Sequence, residues 1–178
     1  AAQYGHLEIV QLLINNGADI PDSALTNAAY MGKTAVVELL LNNGANVDAE
    51  EHRRSALMLA AWFSREAIVT LLLESGANVD TSNSYGQTAL IMAVWGRNAN
   101  IVEKLLSYEA DVNKQTNDGW TALMRAARRN NKDSVILLLD NGADATLTNN
   151  GSKTAEQLAR QCGFTGVADI IKEAGQLS

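Results

Sequence analysis

One period runs through the chain and limits what it can fold into. The segments "IVQLLINNGAD" (9–19), "VVELLLNNGAN" (36–46), "IVTLLLESGAN" (68–78), "IVEKLLSYEAD" (101–111) and "VILLLDNGAD" (135–144) are variations on one theme. Gly17, Gly44, Gly76, Glu109, Gly142 and Gly175 share one equivalent position, spaced by 27, 32, 33, 33 and 33 residues. A second series keeps step with the first: "SALTNAA" (23–29), "SALMLAA" (55–61), "TALIMAV" (88–94), "TALMRAA" (121–127) and "TAEQLAR" (154–160). A period in this range is the signature of a repeat architecture.

Each unit contains two short helical patterns. Ser23, Ser55, Thr88, Thr121 and Thr154 stand where a hydroxyl can cap the first exposed N–H groups of a helix. The Leu triplets 39–41, 71–73 and 137–139 mark the second helix. Gly at the next position supplies the left-handed conformation that stops it. Glu109 takes that place in one unit and puts a Cβ where φ is expected to be positive. A unit this short cannot bury its own apolar face, so neighbours must stack.

These residues resemble the ankyrin-repeat family, whose unit of 33 residues opens helix one with T-P-L-H-x-A-A. Gly-His, a V-V/x-L-L-L helix and G-A-D-V-N follow. "GHLEIVQLLINNGADI" (5–20) and "EADVN" (109–113) carry the likeness, which extends over essentially the whole chain. The resemblance implies an all-α solenoid of stacked helix-turn-helix units joined by β-hairpin loops. Five units plus a truncated first one are expected, at about 1–17, 18–44, 45–76, 77–109, 110–142 and 143–178, the last a capping repeat with one wet face. Ala1-Ala2 align with Ala28-Ala29, so further repeats are expected to precede them in a larger protein.

Departures from the family pattern are informative. Ala24, Ala56, Ala89, Ala122 and Ala155 replace its proline, while Thr26, Met58, Ile91, Met124 and Gln157 replace its histidine and should forfeit that residue's hydrogen bonds. Ser64-Arg65 stand in place of Gly-His. Only six residues separate Gly17 from Ser23, against 12 from Gly76 to Thr88, so the row of hairpins should be interrupted at the first junction.

Composition narrows the function. The 178 residues are 47% apolar and 19% charged, as in a folded chain. A net charge of -6 disfavours nonspecific binding to nucleic acid or to anionic membranes. The lone Cys162 cannot form an intramolecular disulfide, which suits a reducing compartment, cytoplasmic or nuclear. The first residues lack a basic segment followed by an apolar run, and no apolar stretch reaches 18 residues. Neither secretion nor membrane insertion is therefore expected.

No arrangement suggests catalysis, and no cofactor or metal is expected. "MGKT" (31–34) resembles part of a phosphate loop, but Asn27 stands where the motif needs glycine. His6 and His52 occupy unrelated repeat positions, and no Cys/His cluster has metal-ligand spacing. Asp48 and Asp80 recur at equivalent turn positions, where turn chemistry accounts for them.

The resemblance instead implies protein recognition through the concave face, by hairpin tips and by the end of helix one. After the alanine pairs come Tyr30-Met31, Trp62-Phe63, Trp95-Gly96 and Arg128-Arg129. Tyr30, Trp62 and Trp95 are thus expected to form an aromatic track that runs into Arg128. Tyr85, Gln87, Asp118, Trp120 and Arg54 are the hairpin-side candidates, and Trp, Tyr and Arg are the types enriched at binding hot spots. The expected role is a non-catalytic, monomeric scaffold for a protein or peptide with apolar anchors and acidic residues. Two alternatives are a reader of methylated lysine or another cation, and a structural spacer without its own ligand. Members of the family are also substrates of an asparaginyl hydroxylase that favours Asn after Val. Asn113 fits, with Leu105 eight residues upstream, although a structural hairpin role is the simpler explanation.

Overall fold

A computed structural model describes residues 1–176. After a 3-10 turn at Ala2–Tyr4 come α1 (Leu7–Asn15), α2 (Asp22–Tyr30), α3 (Thr34–Asn42), α4 (Ala56–Trp62), α5 (Glu66–Glu74) and α6 (Ala89–Gly96). The series continues with α7 (Ala99–Ser107), α8 (Ala122–Arg128), α9 (Lys132–Asp140), α10 (Ala155–Gln161) and α11 (Thr165–Ala174). The even-numbered helices from α2 to α10 pack each on the next, and the odd-numbered ones form a parallel second row. The protein is an all-α solenoid.

The alanine pairs explain how closely the inner row packs. Ala28-Ala29, Ala60-Ala61 and Ala126-Ala127 are fully buried, as are Ala93-Val94. Leu25, Leu57, Leu90 and Leu123 form one buried column, and Val37, Val69, Val102 and Val135 another. Ile9 and Leu13 are each 49% exposed, whereas their equivalents Val36 and Leu40 are buried by the preceding unit. One polar residue breaks the pattern. Ser134 replaces the Ile68 and Ile101 of earlier units, is fully buried, and its hydroxyl has no hydrogen-bond partner.

Capping follows the sequence in four units. Ser55, Thr88, Thr121 and Thr154 accept hydrogen bonds from the N–H groups of Met58, Ile91, Met124 and Gln157. Ser23 does not. The short first junction lets α2 begin at Asp22 after Pro21, which places Ser23 inside the helix. The histidine-position hydrogen bonds are not lost everywhere either. Thr26 donates to Glu51 at 3.0 Å, and Gln157 completes a reciprocal cap by accepting from the Thr154 N–H at 3.2 Å.

Turn geometry also departs at one end. Gly17, Gly44, Gly76 and Gly142 have φ between 77° and 84°, and Glu109 follows them at 62°. Gly175 does not, since its φ of -69° is right-handed. "MGKT" is a turn whose amides are already used, with the Gly32 and Lys33 N–H groups donating to Ala29 and Ala28 carbonyls.

The fingers between units contain one paired strand ladder among the described residues, β1 (Glu50–Glu51) against β2 (Arg54–Ser55). Expected hairpins elsewhere are turns closed by two backbone bonds each: Asn83, Thr116 and Asn149 N–H donate to the carbonyls of Gln87, Trp120 and Lys153, and their own carbonyls accept from Gly86, Gly119 and Ser152 N–H. Side chains take over the ladder's role. Asn83 Oδ1 accepts from Tyr85 and Gln87 N–H, and Thr116 Oγ1 accepts from Trp120 N–H. Consecutive tips then join, Asn117 N–H to the Tyr85 carbonyl and Asn150 N–H to that of Asp118, both at 3.0 Å. Gly86 and Gly119 permit this approach. A Cβ on either would lie about 3 Å from the next finger's backbone.

A second inter-unit bond repeats below the fingers. Asp48 accepts from Asn78 N–H, Asp80 from Asp111 N–H, and Asn113 from Asp144 N–H, at 2.9, 2.9 and 2.8 Å. Asp48 and Asp80 are therefore staples between units, beyond the turn role expected of them. The turns are held by Asn46, Asn78 and Asp111, two residues earlier. No finger and no such staple forms at the first junction, where Pro21 takes the accepting position.

Candidate partner-binding face

The ends of the inner helices line up as successive units stack, and their aromatic residues meet. Tyr30, the last residue of α2, touches Phe63 edge-on with ring centres 4.7 Å apart. Phe63 is 5.2 Å from Trp62, and Trp62 is 5.8 Å from Trp95 in the next unit. Gly96 makes the last contact possible. A Cβ there would sit 2.5 Å from the Trp62 carbonyl oxygen, so only glycine lets the end of α6 settle against α4. The rings form a chain from Tyr30 through Phe63 and Trp62 to Trp95, and at Trp95 it meets Arg125 and Arg129 rather than the expected Arg128, which lies over Trp120.

Guanidinium groups cover the rings. Arg54, just before the cap of α4, lies 5.0 Å from the Trp62 ring centre. Arg129 is 5.6 Å from Trp95, and Arg128 is 5.3 Å from Trp120. Arg125 lies between two indoles, 5.1 Å from Trp95 and 4.5 Å from Trp120. All five distances fall within the range of cation–π attraction, which strengthens as water is excluded. The tryptophans are half-buried and packed against the core, with one edge outward.

Arg125 belongs to this site without being among the residues the repeat register pointed to. Its column holds Leu59, Met92 and Leu158 in other units, so an arginine there was the available signal. The Trp95 and Trp120 rings replace the apolar neighbours such a position demands. Its Nε is buried without an acceptor. Burial holds the guanidinium below its ordinary pKa, assisted by the charges of Arg128 and Arg129 and opposed by Asp118.

The remaining candidates divide. Tyr85 is 62% exposed at a finger tip, and Asp118 is exposed at the next. Gln87 is not free, because its Oε1 accepts from Asn83 within its own finger at 2.9 Å. Asn113 is engaged on both sides of its amide, accepting from Asp144 N–H and donating to the Gly142 carbonyl at 3.2 Å. Among the described residues, no cluster of His, Cys, Asp or Glu could hold a metal ion, and no helix is long and apolar enough to cross a membrane.

Stacked helix pairs of about 33 residues, with an aromatic face at the helix ends, define a repeat solenoid. The family model for ankyrin repeats matches the chain in three copies, at residues 1–83, 75–149 and 91–175. The chain belongs to the ankyrin-repeat family. A search of the curated proteins finds no significant match. Ankyrin repeats generally mediate protein–protein interaction and are typically non-catalytic.

Proposed function

We propose that this chain is a non-catalytic interaction module that holds an extended segment of a partner protein along its aromatic track. Apolar partner residues lie against Tyr30, Phe63, Trp62 and Trp95, and acidic ones meet Arg54, Arg128 and Arg129. One observation carries this reading. A ring-to-ring chain crosses three units, and the arginines over it have no carboxylate within 4.0 Å among the described residues. Exposed apolar surface rimmed by polar groups marks interaction sites.

A ligand bearing methylated lysine fits less well. The protein's own guanidiniums already lie over Trp62, Trp95 and Trp120, and would repel it. A bare spacer has no need of Tyr30 and Phe63 at 39% and 36% exposure. We place the module in the cytoplasm or nucleus, where the free thiol of Cys162 stays reduced. The test is affinity capture with wild type beside the Trp62→Ala/Trp95→Ala double variant. Partners lost by the variant are expected; an unchanged set would refute the assignment of the face.

A further inference from the structure

The end of helix α8 brings three arginines to this face. Arg125, Arg128 and Arg129 all lie over Trp95 or Trp120, between 4.5 and 5.6 Å from the ring centres. The ion pairs among the described residues lie elsewhere, at Glu51–His52, Glu156–Arg160 and Asp169–Arg160. Asp118 is the one acid whose charge favours protonated Arg125. None of the three arginines forms an ion pair with a carboxylate among the described residues, in a chain whose net charge is -6.

The cation–π contacts use the charge of the guanidiniums without using up their N–H groups, which carry no carboxylate partner among the described residues. One carboxylate satisfies one such fork. A phosphoryl group carries roughly -1.5 to -2 charge at pH 7 and three strong acceptor oxygens, enough for two or more. Arg128 and Arg129 are exposed and can turn toward it, while Arg125 is fixed between its indoles.

We infer that the arginine cluster of α8 receives a phosphorylated side chain of the bound segment, with Trp62 and Trp95 taking its apolar residues. This rests on the interaction-module reading of the same face. Phosphorylation of the partner then controls its capture.

Three degenerate peptide pools test it, identical except for a central phosphoserine, glutamate or serine, with binding read by fluorescence anisotropy. The phosphoserine pool should bind about tenfold or more tighter than the serine pool, as one or two charge-assisted hydrogen bonds would give. It should also exceed the glutamate pool. Arg128→Gln/Arg129→Gln should erase the preference, and circular dichroism should show the fold retained. Trp62→Ala should weaken all pools alike. Equal binding of phosphoserine and glutamate pools, or a preference indifferent to Arg128 and Arg129, overturns the phosphate inference alone. Binding of no pool, or binding untouched by Trp62→Ala, counts against the whole reading of the face.

Discussion

Arg54 holds its guanidinium 5.0 Å from the ring centre of Trp62, and two units further along the same pair recurs with its members exchanged. There Trp120 occupies the column of Arg54, Arg128 the column of Trp62, and the separation is 5.3 Å. The contact survives the swap because a cation–π pair depends on a ring face meeting a flat cation, whichever column supplies each. Between the two stands Trp95, whose own column partner is Gln87 and which is covered by Arg125 and Arg129 from the next unit instead.

The first expectation concerns how much the fold leans on these rings. Trp62 and Trp95 are half-buried with one face on an arginine, so Trp62→Ala or Trp95→Ala should each lower stability by less than ~2 kcal/mol. Fully buried large residues cost ~3–5 kcal/mol on the same truncation. Urea denaturation of each variant measures this, and losses at the buried-residue level would make the rings packing elements.

Gly96 and Gly175 form a matched pair of sites. A Cβ at Gly96 meets the Trp62 carbonyl at 2.5 Å, whereas one at Gly175 meets nothing closer than 3.5 Å, at φ -69°. Gly96→Ala should therefore destabilise by roughly 1–3 kcal/mol, as overpacking does, and should change the tryptophan fluorescence by moving Trp95 relative to Trp62. Gly175→Ala should leave the thermal midpoint unchanged or slightly raised.

Glu109 bears a Cβ in the left-handed region at φ 62°. Replacement by glycine removes strain of roughly 1 kcal/mol. Glu109→Gly is expected to raise the melting midpoint, and a fall would contradict the strain assigned to that turn.

Ser134 lies in a column of Ile and Val with its hydroxyl buried and unpaired. Ser134→Ala deletes the unsatisfied group with little change of volume and should stabilise by about 1 kcal/mol. Chemical denaturation at equilibrium decides the sign.

Asn113 staples two units by two hydrogen bonds, so Asn113→Ala should cost about 1–2 kcal/mol. Both ends of its amide are engaged in the folded chain. Incubation with an asparaginyl hydroxylase should consequently leave its peptide without an added oxygen in intact-peptide mass spectrometry. A mass gain at Asn113 would show that the staple opens readily.

What the sequence determined by itself was most of the local structure set within one unit. Helical spacing, four of the five hydroxyl caps, the left-handed turns through Gly142 and the closed-up first junction depend on neighbours a few residues apart. Tertiary structure decided what depends on residues about 33 positions away, because only stacking sets which side chains meet. It put Arg125 between Trp95 and Trp120, and made Asp48, Asp80 and Asn113 join consecutive units. The aromatic columns were visible in the repeat register. Their cover of arginines was not, since a guanidinium's resting place depends on which ring the adjoining unit presents to it.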